Sequence, residues 1–208
     1  MTPESKQSHS WVRVGAIYSL PAMRALDTRL QGPLLLEPAV HGDERGFFLE
    51  SYRASVLAEL GVNDSFVQDN HSRSARGVVR GIHFAVGGGQ AKLVRCARGS
   101  IVDVVVDLRR GSPTFGEWEA HELDDRALRQ LYVPIGFGHG FCVTSEVADT
   151  VYKCSSYYDA ELERGIAYDD PEIKVDWPDL PLLVSARDAA APRLSEVADE
   201  LPFAFGDG

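Results

Sequence analysis

The sequence predicts an all-β fold of sandwich or barrel type, and three observations lead there. From Arg24 onward, short β-type segments alternate with Gly, Pro, Asn and Asp, the punctuation of a strand-rich domain. Helical periodicity is scarce over the same span. The stretch 101–108 is apolar on both faces at a period of two, as expected of a strand between two packed sheets.

The elements follow in order. Residues 1–22 are polar and aperiodic and precede Met23, one of only two methionines, so a disordered extension is expected there, ahead of a single domain over 23–208. Arg53 to Leu60 is the best helix: Val56, Leu57 and Leu60 share a face, and Gly61 stands where a helix stops. Gly87-Gly88-Gly89 reads as a flexible hairpin tip; it lacks the spacing of a phosphate loop, and no helix pattern follows. Lys92 to Ala97 and Ile101 to Leu108 are strands joined through Arg98-Gly99-Ser100, which suits a tight hairpin. In the second of these, Val102, Val104, Val106 and Leu108 fall on one face, and Ile101, Asp103, Val105 and Asp107 on the other. Thr150 to Tyr158 is a further strand, whose periodicity turns Tyr152 and Tyr158 into one space. Beyond Pro178 the prolines predict loops with room for one short helix.

Composition narrows the function. A chain of 208 residues that is 44% hydrophobic and 25% charged fits one soluble globular domain with a sizeable core. Its longest strongly apolar run, 101–108, is far below the roughly 20 residues needed to span a bilayer, so no membrane partner is expected. A net charge of −10 argues against a nucleic-acid partner, because binding a polyanion needs basic surface. Yet residues 71–110 carry eight Arg or Lys against Asp103 and Asp107, a balance of +6 that leaves −16 elsewhere. A small anionic ligand fits that window. Cys96, Cys142 and Cys154 are odd in number and form no CxxC pair, which suggests a reducing cytoplasm, with all three as buried apolar side chains.

Three side chains invite chemistry, each beside a plainer reading. His83, between apolar neighbours, is either a hydrogen-bonded structural residue or a proton carrier whose tautomer a partner fixes. His139, flanked by Gly138 and Gly140, marks either close backbone packing or ligand access. Lys92 opens an apolar strand and either snorkels from an edge or faces a developing oxyanion. The six histidines contain no HxH or HxxxH pair, so a metal site is disfavoured.

The order of the motifs is more specific than any one of them. Asp43-Glu44-Arg45-Gly46-Phe47-Phe48-Leu49-Glu50, Val67-Gln68-Asp69-Asn70-His71-Ser72, Val79-Arg80-Gly81-Ile82-His83, Gln90-Ala91-Lys92-Leu93-Val94 and Asp107-Leu108-Arg109 follow one another. After them come Gly138-His139-Gly140-Phe141, Val151-Tyr152-Lys153-Cys154, Asp169-Asp170-Pro171, Asp176-Trp177-Pro178 and Ser185-Ala186-Arg187-Asp188. Over roughly residues 24–192 the chain resembles the dTDP-4-dehydrorhamnose 3,5-epimerase family.

That resemblance implies a metal-free cupin jelly roll with a few short helices, a homodimer, and no cofactor. It implies epimerisation of dTDP-4-dehydro-6-deoxy-D-glucose at C3 and C5, with a nucleotide diphosphate sugar as the bound partner. By motif position His83 matches the base, Asp188 the carboxylate that orients it, Lys92 the residue facing the C4 oxygen, and Tyr152 the acid on the opposite face of the sugar. Arg45, Glu50, Gln68, Asn70, Arg80, His139, Tyr158 and Arg164 match substrate positions, the arginines of the basic window meeting the diphosphate. Between His83 and Lys92 the family commonly has one more residue, with Tyr-Gln after the His and prolines in the loop; here the segment is Phe84-Ala85-Val86-Gly87-Gly88-Gly89. The alternatives are an epimerase of a single centre, for which Tyr152 favours C5, or a cupin that binds without turnover or depends on a metal.

Overall fold

Residues 22–206 are described by the computed structural model, so the extension expected over 1–22 lies, apart from Ala22, outside the described residues. In chain order the strands are β1 (Met23–Leu26), β2 (Leu34–Pro38), β3 (Val40–Asp43), β4 (Gly46–Leu49), β5 (Gln68–Ala75), β6 (Val78–Ala85) and β7 (Lys92–Arg98). They continue with β8 (Ser100–Asp107), β9 (Trp118–Asp124), β10 (Gln130–Val133), β11 (Phe137–Val143), β12 (Val147–Cys154), β13 (Glu163–Gly165) and β14 (Leu183–Val184). The short helices are α1 (Ala54–Glu59), α2 (Ala186–Ala189) and α3 (Leu194–Val197).

Two sheets face each other in a jelly roll. The first has the order β1-β2-β10-β7-β12-β5, and the second β13-β6-β11-β8-β9 with β14 beside β6; β3 and β4 form a separate hairpin. Every pairing between these strands is antiparallel except β14 with β6.

Period-two alternation produces three apolar layers. Between the sheets, Val94, Cys96, Leu131 and Val133 of the first meet Ile101, Val105, Leu123, Phe137, Phe141 and Val143 of the second. On the outer face of the second sheet, Ile82, Phe84, Val104, Val106 and Leu108 are covered by Ile166, Ile173, Leu194, Leu201 and Phe203. On the outer face of the first, Met23, Leu36, Leu93 and Tyr132 are covered by Leu57 and Val62 around α1. The helix falls where the Val56, Leu57 and Leu60 stripe puts it, and Gly61 ends it at φ +92°, a conformation that costs glycine little.

Two expectations need correction. β8 is apolar on both faces, but only Ile101 and Val105 look across to the other sheet; Val104, Val106 and Leu108 look outward, beneath the C-terminal segment. The expected hairpins at Gly99 and Gly87-Gly88-Gly89 are instead crossovers. β6 and β8 belong to the second sheet and β7 between them to the first, so each glycine turn carries the chain from one sheet to the other. A turn dipeptide has the same local conformation in both cases; only the long-range partner differs.

Candidate active site

The inner faces of β5, β7 and β12 on one side and of β6 and β11 on the other enclose a cavity of about 590 Å³, within the usual size of a small-ligand site. His83, Lys92, Tyr152 and Asp188 all line it, together with Gln68, Asn70, Arg80, His139 and Tyr158.

Asp188 is brought to His83 by the C-terminal segment. Asp170, itself buried, accepts the backbone N–H groups of Glu172 (2.8 Å) and Leu194 (2.7 Å), and Trp177 donates through Nε1 to the Tyr168 carbonyl (2.8 Å). These bonds seat the segment on the outer face of the second sheet. β14 then runs parallel to β6, and the Ser185 hydroxyl caps α2 by accepting the Asp188 N–H at 3.1 Å. The buried Asp188 carboxylate lies 2.7 Å from His83 Nε2 and accepts its proton, which leaves the other ring nitrogen with a free lone pair. Burial holds the His83 pKa below the usual imidazole value of 6.5, against the opposing pull of Asp188. The neutral, proton-accepting ring is therefore the form present at neutral pH.

Gly81 is what lets β6 reach this position. It has φ +123°, and a Cβ there would lie 2.5 Å from the Cα of Gly140, so the two backbones could not approach as they do with a larger residue. His83 thereby stands directly opposite His139 on β11. His139 Nε2 in turn lies 2.9 and 3.1 Å from the two oxygens of Asp103, which is fully buried.

Lys92 and Tyr152 occupy neighbouring strands of the other sheet, both half-buried. Burial lowers the Lys92 pKa, opposed by Cys154, Glu163 and Asp103. Burial raises that of Tyr152, with the Cys154 thiol adding to the rise, so the phenol keeps its proton. A base on one sheet thus faces a proton donor and a cation on the other, across one cavity.

The residues expected at substrate positions divide. Gln68 donates to Asn70 (3.0 Å) and accepts the Tyr158 N–H (2.8 Å), fixing an exposed tyrosine beside the cavity. Tyr152 and Tyr158 do share a space, although β12 ends at Cys154 and the loop after it, rather than strand periodicity, brings Tyr158 there. Arg80 donates to the Ser74 hydroxyl at 3.1 Å. Arg45, Glu50 and Arg164 do not line this cavity. Arg45 sits in the turn of the exposed β3–β4 hairpin, paired with Asp43, and Glu50 pairs with Arg53.

Arg164 lies opposite Phe84, with Gly165 opposite His83, so the pleat turns Arg164 outward toward a second cavity of about 420 Å³ and leaves Glu163 facing inward. Glu163 accepts from Arg187 at 2.7 Å, and both line the first cavity. The motifs contain Arg187 but not Glu163, and only the β13–β6 register identifies which side chain of β13 faces in. Phe84 points away as well, packing edge to face on Phe203 at 6.2 Å.

The basic window also contracts. Of its eight cations only Arg80 and Lys92 reach the cavity, where Arg187 joins them. Arg73 is bound by Asp149 (2.6 Å), and Arg109 by the buried Asp107, which also accepts from Ser112 (2.6 Å) and Thr114 (2.7 Å). Among the described residues no three His, Cys, Asp or Glu side chains converge as metal ligands would.

Known proteins resemble this chain. A family model described as dTDP-4-dehydrorhamnose 3,5-epimerase matches residues 27–196. The dTDP-4-dehydrorhamnose 3,5-epimerase of Pseudomonas aeruginosa is 51% identical over 164 residues, 77% of this chain and 91% of that protein. The dTDP-4-dehydrorhamnose 3-epimerase of Streptomyces niveus is 46% identical over 179 residues, covering 85% and 86%. Among solved structures, the dTDP-6-deoxy-D-glucose-3,5-epimerase of Legionella pneumophila, in complex with dTDP-4-keto-L-rhamnose, superposes with a TM-score of 0.84 at 46% identity, covering 87% of this chain and 98% of that one.

Proposed function

Because this chain belongs to the dTDP-4-dehydrorhamnose 3,5-epimerase family, we propose that it converts dTDP-4-dehydro-6-deoxy-D-glucose to dTDP-4-dehydro-L-rhamnose by inverting C3 and C5. The observation that carries this reading is the His83–Asp188 pair at 2.7 Å on one side of a cavity whose other side holds Lys92 and Tyr152. The C4 ketone acidifies the hydrogens on C3 and C5. His83 removes one of them, and the buried Asp188 carboxylate stabilises the imidazolium that results. The electron pair moves into an enolate whose charge rests on the C4 oxygen, where the Lys92 ammonium stabilises it. Tyr152 returns a proton from the other sheet, hence to the other face of the ring; before the second centre reacts, His83 passes its proton to solvent and the Tyr152 phenolate takes one from solvent. Every step is a proton transfer.

Arg80 and Arg187 supply the positive charge for the diphosphate, and the exposed ring of Tyr158 offers a stacking surface to the nucleotide base. A homodimer in the cytoplasm completes the reading. The β3–β4 hairpin exposes Val40, Phe47 and Phe48, an apolar surface suited to a second copy, and it carries Arg45 and Glu50 with it. All three cysteines are free and buried, which suits a reducing compartment.

Turnover in D₂O tests the reaction: deuterium at both C3 and C5 of the product supports double inversion. Deuterium at C3 alone would instead match the activity named for the Streptomyces niveus relative.

A further inference from the structure

Tyr158 is 57% exposed and lies on the loop that follows β12, so packing alone does not place its ring at the cavity. The hydrogen bonds of that loop decide where the ring stands. One is made by β5, where Gln68 accepts the Tyr158 N–H at 2.8 Å. The others come from the segment that enters β7. Ala91, fully buried, is tied to Ser155 twice: its carbonyl accepts the Ser155 N–H at 3.0 Å, and its own N–H donates to the Ser155 hydroxyl at 2.8 Å. Gln90 Nε2 donates to the Ser156 carbonyl at 3.0 Å and to the Ser156 hydroxyl at 3.3 Å. That hydroxyl donates in turn to the Gly89 carbonyl at 3.3 Å. Gly89 sits so close to Ile135 that a Cβ would come within 2.4 Å of its Cγ2, so a larger residue could not bring the carbonyl to the same place. The end of the glycine crossover, which the proton transfers do not use, therefore supports the residues just before the tyrosine.

We propose that Gln90 is a positioning residue for the nucleotide: it tethers the loop at Ser156 and so presents Tyr158 for stacking. Gln90 also lines the cavity, but it acts through the tyrosine, because its amide donates to Ser156. The stacking rests on the epimerase reading; the tether does not. Without the tether the loop keeps its anchors at Ala91 and Gln68 but samples more positions between them, and the nucleotide has to order it on binding. The base takes no part in the proton transfers, so the loss falls equally on bound substrate and on the transition state. Affinity changes, and the chemical step does not.

Gln90→Met keeps the length of the side chain and removes the donor. In this variant the Kd for dTDP, measured by titration calorimetry, rises about fivefold, the scale of one net hydrogen bond; KM rises with it while kcat holds. Placed on Tyr158→Ala, the same substitution has no further effect on the dTDP Kd. An equal loss in that background would make Gln90 a direct ligand contact or a purely structural residue, and overturns the proposal. Amide hydrogen exchange in the ligand-free protein reads the tether itself: exchange at Tyr158 speeds up in Gln90→Met, while Ser155 keeps its protection. Unchanged exchange at Tyr158 overturns the tether whatever reaction the chain performs. If Tyr158→Ala by itself leaves the dTDP Kd unchanged, the stacking reading is what fails, and the presentation role of Gln90 with it. Should Gln90→Met fail to fold, Ser156→Ala removes the hydroxyl bridge to Gly89 and makes the same predictions at smaller size.

Discussion

Replacing Asp188 by Asn leaves the shape of the site intact and removes one charge. The carboxylate oxygen is 2.7 Å from His83 Nε2 and buried, and the cap on α2 uses the backbone N–H of residue 188, which the substitution keeps. With charge centres about 4 Å apart and an effective dielectric near 20, the carboxylate stabilises the imidazolium by about 4 kcal/mol, or roughly 10³ in rate. An asparagine amide can also donate to Nε2 and leave the proton on the nitrogen that should act as base, an error that costs about 10⁴ in the serine-protease triad. We therefore expect kcat to fall by about 10³–10⁴.

The pH dependence follows the same logic. Burial lowers the His83 pKa and Asp188 raises it, so in the asparagine variant the acid limb of kcat/KM moves to lower pH than in the unaltered protein. Because the folded value lies below the unfolded one, the unfolded chain binds the extra proton, and His83 subtracts stability as pH falls below the unfolded value of about 6.5. The variant deepens that loss. Stopped-flow turnover coupled to a reductase specific for the L-rhamno 4-ketone, together with dTDP binding to verify the site, provides the assay. A loss under tenfold, or an acid limb displaced upward, would refute the role given to Asp188.

Other consequences are accessible to the same assays. Lys92→Met should lower kcat by about 10²–10³, while the urea midpoint holds or rises, because a buried ammonium is replaced by an apolar chain of similar length. Glu163→Gln should move the His83 acid limb downward less than Asp188→Asn does, since Glu163 raises the His83 pKa by charge alone and less than the hydrogen-bonded Asp188 does; the two kcat/KM profiles give the ranking. Leu131→Ala, in the layer between the sheets, should cost about 2–5 kcal/mol in urea unfolding.

The fold and the residues that line the cavity were legible for different reasons. Alternation in 101–108 and the Val56, Leu57 and Leu60 stripe identified β8 and α1, because a local period determines a local element. The same reading mistook Gly99 and Gly87-Gly88-Gly89 for hairpins, since whether a turn returns to its own sheet depends on partners far away in sequence. His83, Lys92, Tyr152 and Asp188 were recoverable from motif order, and the cavity gathers all four. Arg164 was not: one step along β13 exchanges an inward for an outward side chain, and only the register with β6 shows that Glu163 faces in. The charge window overestimated the site because a count of arginines does not record that Asp149 and Asp107 already hold two of them.

Two-sided proton transfer is tested most directly by Tyr152→Phe in D₂O, observed by proton NMR of the recovered substrate. If His83 abstracts from one sheet and Tyr152 donates from the other, the variant exchanges the substrate hydrogen for deuterium with retention while inversion collapses. Parallel loss of exchange and inversion would place Tyr152 in abstraction itself and contradict the account.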